Sequence, residues 1–319
     1  MSSRPESLWM SVVLVTHDDF SSIAAPVRHL AEQTARDRLE LVIVASSEDR
    51  IRPAFDPATA GFRGVRIVEH GSVASRGSAA ASGVRAAAGP IVGFVENHSY
   101  PAPRWAEALL EAHEGPWAAV GPAVGNANPA TRTSRVNFLL TYGPWSGDVR
   151  AGEVELLPFH NSAYKRAWLD RYGDRLGAML DAEYWLQSDV RARGGRLYLA
   201  PEARTAHTNE PRLRTSLRLL YGQGRAFGSR RSGGWSRLRR AAYVAGAPAI
   251  PLVNLPRILR QTTRSAPAAE FTAALPSILL HVAVQGAGEA AGYLTGRAGD
   301  EEFLVAHEFS HRPDPPLLP

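Results

Sequence analysis

The sequence predicts an α/β fold in which helices cover both faces of a mostly parallel sheet, with an α-helical extension at the C-terminus. Three observations support this prediction. β-Branched runs of strand length alternate with segments of helical periodicity as far as His207. The alternation then stops, and the chain that follows is basic and apolar. We therefore expect a domain of residues 1–210, an extension of residues 211–300 and a tail of residues 301–319.

The first elements form a β-α-β unit that two further strands extend. Apolar, β-branched runs predict strands at 11–15, 39–46, 65–70 and 90–96. Helical periodicity predicts helices at 20–35 and 75–89, and the second of these is rich in alanine. Ligands bind beyond the carboxyl ends of parallel strands, so the loops after Val15, Ala45 and Val95 are expected at one edge of the sheet.

Beyond residue 100 the pattern is less regular. Residues 103–113 have helical periodicity with a proline at the start, and residues 117–125 are strand-like. The segment 126–155 is rich in loop residues, which favours a mobile or substrate-facing stretch. A helix at 181–195 and a short strand at 196–201 complete the first domain.

Composition excludes several classes of protein. The chain has no cysteine, which excludes disulfides, thiolate zinc sites and cysteine nucleophiles and fits a reducing compartment. A hydrophobic content of 45% with 21% charged residues excludes wholesale disorder. The apolar run near the N-terminus is too short for a signal peptide and ends at a His-Asp-Asp cluster. We interpret it as the first strand of a cytoplasmic domain.

Three polar side chains follow the predicted strand at 90–96. Glu96, Asn97 and His98 stand where this buried strand ends. A carboxylate and an imidazole two residues apart can both reach a divalent cation, or a ribose hydroxyl and a phosphate-bound metal. The alternative is an ordinary polar turn that closes the strand.

Two further residues are candidates for chemistry. Glu183 lies among apolar residues of the predicted helix at 181–195, so it is expected to be a partly buried general base with a raised pKa. The alternative is a solvated helix acid. His207 is either a metal ligand or a histidine of the core.

Five motifs together resemble family 2 glycosyltransferases, the inverting enzymes with a GT-A fold. The resemblance runs from about Met10 to His207. It is carried by "SVVLVTHDD", "GSAAASGVRAAAGPIVGFV", "ENHSYPAPRW", "FHNSAYKRAWLDRYG" and "LDAEYWLQSDVRARGGRLYLAPEARTAH". The resemblance implies a nucleotide-diphosphate sugar as donor and a glycan or lipid-linked hydroxyl as acceptor.

The resemblance also implies roles for individual residues. Glu183 matches the position of the catalytic Asp. The residues that match metal-binding positions are Glu96, His98 and His207. Those expected to bind the donor nucleotide are Thr16, His17, Asp18, Ser46, Ser47, Glu96 and Asn97. His160, Asn161 and Asp181 are expected to line the sugar and acceptor pocket.

The chain departs from the family pattern at three places. "VASSEDR" replaces the family's Asp-Asp-Gly-Ser, so Ser46, Ser47 or Glu48 must contact the base, and a uridine donor is not implied. The triplet at Glu96 holds a single acid, and with a histidine as ligand Mn²⁺ is favoured over Mg²⁺. Glutamate stands in place of the catalytic aspartate, which extends the reach of the base by about 1 Å.

The C-terminal third is dominated by arginine. Twelve arginines and no acidic residue lie between Pro211 and Ala269, which indicates an anionic partner. Arg225 and Arg230 are able to meet a diphosphate or a lipid phosphate, unless this helix is simply a basic solvated one. The block lacks aromatic platforms and reader motifs, so nucleic acid is not the expected partner.

Two apolar segments, 240–260 and 271–296, are interrupted by proline and polar residues. We expect interfacial helices on an anionic membrane surface rather than a membrane span. Packing on the catalytic domain is the alternative. Gly288, Gly292 and Gly296 recur every four residues and allow a close helix contact, which would make a homodimer possible.

The sequence thus predicts an inverting, metal-assisted glycosyltransferase at the cytoplasmic face of the cell membrane. Its expected role is the synthesis of a cell-envelope polysaccharide or glycolipid. The competing interpretation is a non-catalytic protein of the same fold that binds a nucleotide sugar or a glycan.

Overall fold

A computed structural model describes residues 9–309 apart from 18, 53–60, 74, 251–252, 254–255, 257–267 and 300. The chain divides into two compact units. The first unit draws on Met1–Gly125, Val149–His207 and Phe309–Pro319, and the second on Asn126–Asp148 and Thr208–Glu308.

Nine strands form the sheet of the described chain. They are β1 (Met10–Val15), β2 (Leu39–Ala45), β3 (Gly64–Glu69), β4 (Ile91–Val95), β5 (Ser99–Pro101), β6 (Ala119–Asn126), β7 (Gly152–Val154), β8 (Ala163–Lys165) and β9 (Leu197–His207). Their order is β3-β2-β1-β4-β8-β6-β9-β5, and β7 also pairs with β9.

The α-helices, in chain order, are α1 (Ala24–Ala31), α2 (Arg76–Ala86), α3 (Trp105–His113), α4 (Arg132–Tyr142), α5 (Arg166–Leu169), α6 (Leu176–Asp181), α7 (Glu183–Ala192), α8 (Leu213–Arg231), α9 (Arg237–Gly246), α10 (Ala268–Thr295) and α11 (Glu301–Phe309). α4, α8, α9 and α10 belong to the second unit, as does α11 except for Phe309.

The sheet is parallel in its first half and antiparallel beyond it. β1 lies between β2 and β4, and all three run in the same direction, as does β3. β8 then pairs antiparallel with both β4 and β6, and β9 pairs antiparallel with β5 and β7. Every residue of β1, β2 and β4 is buried, which explains their nearly continuous apolar sequence. The predicted α/β fold is confirmed.

Several predicted elements differ from the structure in detail. The helix predicted at 181–195 is two helices, because Ala182 leaves helical geometry with φ −133° and ψ 60° between α6 and α7. The segment 126–155 contains α4 and β7 and is not only loops. The first nine residues of the predicted tail form α11, and residues 310–319 lie outside the described chain.

The glycines of α10 are used within the chain. A Cβ on Gly288 would lie 2.1 Å from the Tyr221 carbonyl oxygen, and one on Gly292 would lie 2.2 Å from that of Arg225. Only glycine therefore allows α8 and α10 to approach this closely. The suggestion that these glycines pair subunits is wrong for Gly288 and Gly292, whose faces are occupied by α8.

The helices of the second unit also bury an apolar cluster of their own. Val136 of α4 packs with Ala274, Ile278 and Val282 of α10.

In the described part of the chain, no helix combines the length and the apolar character that crossing a membrane requires.

Candidate active site

The pairing of β5 with β9 brings together residues that are far apart in sequence. Glu96 follows β4 directly, and β5 begins three residues later at Ser99. Ser99 is in register with His207, the last residue of β9. His207 is thereby placed beside the turn that carries Glu96 and His98.

Glu96, His98 and His207 form a buried cluster. One ligand atom from each lies within 4.8 Å of the others. Nε2 of His207 is 3.3 Å from Oε2 of Glu96, and the two imidazole rings meet edge to face at 4.6 Å. The structure therefore brings together the three residues predicted to bind metal.

The surrounding polar groups fit a cation at this cluster. Asn161 donates to Oε2 of Glu96 at 2.7 Å, and the Ser99 hydroxyl donates to the same oxygen at 3.3 Å. Nδ1 of His98 lies 2.7 Å from Oδ1 of the Asn97 side chain, which can only accept, so Nδ1 carries a proton and Nε2 keeps its lone pair. One carboxylate and two imidazoles form a mixed oxygen and nitrogen donor set, which favours a transition-metal ion such as Mn²⁺ over Mg²⁺.

Electrostatics keep Glu96 ionised. Burial alone would raise its pKa, but the hydrogen bond and charge of His207, together with His98 and His160, hold the pKa of Glu96 well below its usual range. The cluster thus places a negatively charged oxygen next to two nitrogen atoms that can ligate a metal ion.

A second buried carboxylate belongs to Glu183, the first residue of α7. Its oxygens accept from the backbone N–H of His160 at 3.0 and 3.1 Å, and Oε1 lies 2.7 Å from Nδ1 of the same residue. Arg76 of α2 donates to Oε1 at 3.4 Å and to the Leu180 carbonyl at 3.0 Å. A carboxylate in the first turn of a helix is also stabilised by the helix dipole.

The pKa of Glu183 shifts in the opposite direction to that predicted. Burial raises it, but the charge and hydrogen bonds of His160 and the Arg76 guanidinium outweigh burial, so the pKa of Glu183 is lowered. The expected raised pKa is therefore wrong. Glu183 is ionised at neutral pH, which is the form that a base requires.

Adjacent residues connect the two carboxylates. His160 contacts Glu183, and Asn161 contacts Glu96. Asp181, whose role in lining the sugar and acceptor pocket stays a prediction, accepts from the Gly77 backbone N–H at 2.7 Å and from the Ser75 hydroxyl at 2.5 Å. Its carboxylate thus holds the start of α2.

The residues predicted to bind the nucleotide lie after β1 and β2. Thr16 is buried and its hydroxyl contacts that of Ser22 at 2.7 Å, while the Ser46 hydroxyl donates to the His17 carbonyl at 3.3 Å. Ser47 follows directly and precedes a 3₁₀ turn. Asp18 lies outside the described residues. Their contact with a nucleotide stays a prediction.

Arg225 belongs to α8 in the second unit. Its Nε donates to the Arg297 carbonyl at 3.2 Å. Its assignment to a diphosphate stays a prediction.

Sequence reasoning missed three residues around the site. Arg76 contacts Glu183, and the Tyr164 hydroxyl lies 3.5 Å from the same carboxylate. Phe309 accepts from Asn97 at 3.2 Å through its carbonyl and stacks on His17 with ring centroids 6.1 Å apart. These contacts join residues that are at least 19 positions apart in the chain, so no local pattern signalled them.

Comparisons with known proteins identify the family and the fold. The family model for Glycosyl transferase family 2 matches residues 11–173. The structure is similar to "Crystal structure of GalNAc-T7 with UDP, GalNAc and Mn2+", with a TM-score of 0.50 and 14% identity over 64% of this chain. That likeness confirms the GT-A fold, and the chain covers 43% of that protein's length. No curated protein sequence matches significantly.

Proposed function

Because the chain belongs to glycosyl transferase family 2, we propose that it is an inverting enzyme of cell-envelope polysaccharide or glycolipid synthesis. It would transfer a sugar from a nucleotide-diphosphate sugar to an acceptor hydroxyl. The observation that carries this proposal is the pair of buried carboxylates, Glu96 and Glu183, held by the adjacent residues Asn161 and His160. One carboxylate belongs to a candidate cation site and the other to a candidate base.

Glu96, His98 and His207 are proposed to hold a divalent cation, with Mn²⁺ favoured over Mg²⁺ by the two imidazoles. Such an ion would stabilise the charge that develops on the departing diphosphate. Asn161 orients Glu96 through its 2.7 Å hydrogen bond, and the Asn97 amide orients His98. The loops that carry Thr16, His17, Ser46 and Ser47 are proposed to bind the nucleotide.

Glu183 is proposed to supply the basicity that activates the acceptor hydroxyl. Inversion follows if the activated oxygen attacks the anomeric carbon from the face opposite the diphosphate. Arg76 and His160 keep the carboxylate ionised by lowering its pKa. His160 and Asn161 are proposed to line the sugar and acceptor pocket.

The second unit is proposed to bind an anionic membrane surface at the cytoplasmic face. Twelve arginines and no acidic residue lie between Pro211 and Ala269, and α9 begins with Arg237, Leu238 and Arg239, all exposed. Leu238 is 82% exposed, which is unusual for leucine and suits insertion between lipid headgroups.

A non-catalytic protein that binds a nucleotide sugar is the second candidate, because the family's acidic triplet keeps a single acid here. Release of nucleoside diphosphate that depends on Glu183 would separate the two functions. A binding protein would show donor affinity without turnover.

The donor site is tested by thermal unfolding with UDP-, GDP-, dTDP- and CDP-glucose, each with and without Mn²⁺. A ligand at 100 times its dissociation constant stabilises the fold by about 2.7 kcal/mol. We expect one nucleotide to raise the melting temperature only with Mn²⁺, and Glu96→Ala to abolish the effect. If no donor shifts a well-folded protein, the proposed function is contradicted.

A further inference from the structure

We propose that Nε2 of His160 takes the proton of the acceptor hydroxyl, while Glu183 fixes the ring and holds the positive charge that results. This inference rests on the glycosyl transfer proposed above and names the group that meets the acceptor. It differs from a mechanism in which the carboxylate itself contacts the substrate.

The solvent exposures of His160 and Glu183 indicate which of the two side chains an acceptor meets first. The side chain of Glu183 is 1% exposed, whereas that of His160 is 26% exposed. Both oxygens of Glu183 already accept hydrogen bonds from His160, and Oε1 also accepts from Arg76. A hydroxyl that enters from solvent therefore meets the imidazole before it reaches the carboxylate.

The hydrogen bond at Nδ1 leaves the opposite ring nitrogen available. An ionised carboxylate only accepts, so the 2.7 Å contact with Oε1 of Glu183 places a proton on Nδ1. The neutral ring then keeps its lone pair at Nε2. No described residue makes a hydrogen bond to Nε2. The Arg76 guanidinium also contacts Nδ1, but it can only donate, and its Nη2 has two oxygen acceptors, the Leu180 carbonyl and Oε1 of Glu183. We therefore assign the proton on Nδ1 to the hydrogen bond with Glu183.

The backbone of His160 adopts an unusual conformation that helps to orient its imidazole ring. Its φ is 64°, and it is the one described residue other than glycine with a positive φ. Strained backbone of this kind persists where the surroundings determine it, and it is concentrated at functional sites. Here Glu183 binds the backbone N–H and the ring of the same residue, which fixes the direction of Nε2.

The proposed step conserves atoms and charge. The acceptor oxygen forms a bond to the anomeric carbon, its proton moves to Nε2, and the bond to the diphosphate breaks with its electron pair on the leaving group. The imidazolium later releases its proton to water. The charged groups that act on the ring are Glu183, Arg76 and Glu96, and the Tyr164 hydroxyl lies 3.5 Å from Oε2 of Glu183. Burial and Arg76 lower the pKa of His160, but Glu183 and Glu96 raise it by more.

The tautomer is tested without any substrate. In ¹⁵N-histidine NMR spectra of the whole chain, the signals of His160 are assigned by their loss in His160→Asn. Asparagine suits this site because it tolerates a positive φ better than other side chains do. We expect neutral His160 to carry its proton on Nδ1. A proton on Nε2 in the neutral ring would overturn the proposal.

The proton transfer is tested by chemical rescue. His160→Gly accepts the positive φ and leaves space for a free imidazole. With water as acceptor, we expect this variant to release nucleoside diphosphate about 10²–10⁴-fold more slowly than wild type, from whichever of the four donor sugars wild type hydrolyses. Added imidazoles should restore the rate, more so as their basicity increases.

The outcomes separate the two proposals. Two results would refute the role of His160 without contradicting the proposed function. One is an active wild type whose His160→Asn variant keeps the full rate. The other is a His160→Gly variant whose rescue by substituted imidazoles does not depend on their basicity. A wild type that neither binds nor hydrolyses any donor would count against the proposed function itself. Melting temperatures and donor-induced shifts of each variant show that the fold and donor site are intact.

Discussion

The side-chain amide of Asn161 donates a 2.7 Å hydrogen bond to Oε2 of Glu96, a residue 65 positions earlier in the chain. This contact joins the loop before β8 to the turn after β4. It fixes the carboxylate that, with His98 and His207, makes up the candidate cation site.

Asn161→Ala should weaken Mn²⁺ binding without unfolding the protein. Groups that orient a metal ligand typically contribute a factor of about 10–100 to metal affinity. Titration of the Mn²⁺-dependent melting shift measures this loss. Ser99→Ala is the matched control, because its hydroxyl reaches the same oxygen at the longer distance of 3.3 Å. Equal effects of the two variants would contradict the role given to Asn161.

His113 should make the fold sensitive to acid. It is the last residue of α3, and burial, aided by the charge of Lys165, lowers its pKa from 6.5 to about 3. Between these values the unfolded chain binds a proton that the folded chain does not, so stability falls as the pH falls. The slope approaches about 1.4 kcal/mol per pH unit.

The measurement is chemical denaturation from pH 7 to pH 4, compared between wild type and His113→Leu. The free energy of unfolding of the variant should fall less steeply below pH 6.5. Parallel curves for the two proteins would show that His113 does not contribute to this dependence.

Gly288→Ala should destabilise the second unit. Its Cβ would lie 2.1 Å from the Tyr221 carbonyl oxygen, so α8 and α10 must separate, at a cost of about 1–3 kcal/mol. Gly246→Ala, at the last residue of α9, meets no atom within 4 Å and should be neutral or stabilising by up to about 1 kcal/mol. Thermal unfolding of both variants tests the contrast, which would be absent if the close approach were not required.

Arg237→Glu combined with Arg239→Glu should reduce binding to vesicles with anionic lipid by about tenfold or more. Both arginines are exposed at the start of α9, beside the exposed Leu238. Arg85→Glu combined with Arg150→Glu changes the net charge equally at exposed positions of the first unit. Co-sedimentation with neutral and anionic vesicles compares the pairs. Equal losses for both pairs would indicate a general charge effect rather than a defined surface.

The local parts of the fold could be predicted from the sequence, whereas its long-range contacts could not. β1, β2 and β4 are buried along their whole length, so their composition marks them to within about a residue. β5 spans three residues and ends in a proline, and its register with β9 depends on residues about a hundred positions away. No local pattern specifies such a pairing.

The same limit applies to the candidate site. Glu96 and His98 were identified because they follow a buried strand, and Glu183 because a family motif surrounds it. Arg76, by contrast, reaches Glu183 from 107 positions earlier. The positive φ of His160 has no signal in its sequence, because no glycine stands there and the carboxylate that binds its backbone N–H, that of Glu183, lies 23 positions away. The direction of the Glu183 pKa shift was missed for the same reason, since both groups that lower it are distant in sequence.

The most direct test of the account is the rate at which Glu183→Gln releases nucleoside diphosphate from the donor that stabilises the wild type. Glutamine keeps the size of the side chain and removes its charge. We predict that the Mn²⁺-dependent melting shift by the donor is retained while turnover falls by about 10²–10⁴-fold. Turnover equal to that of wild type, in a variant that binds donor normally, would contradict the assignment of Glu183 as the source of basicity in this site.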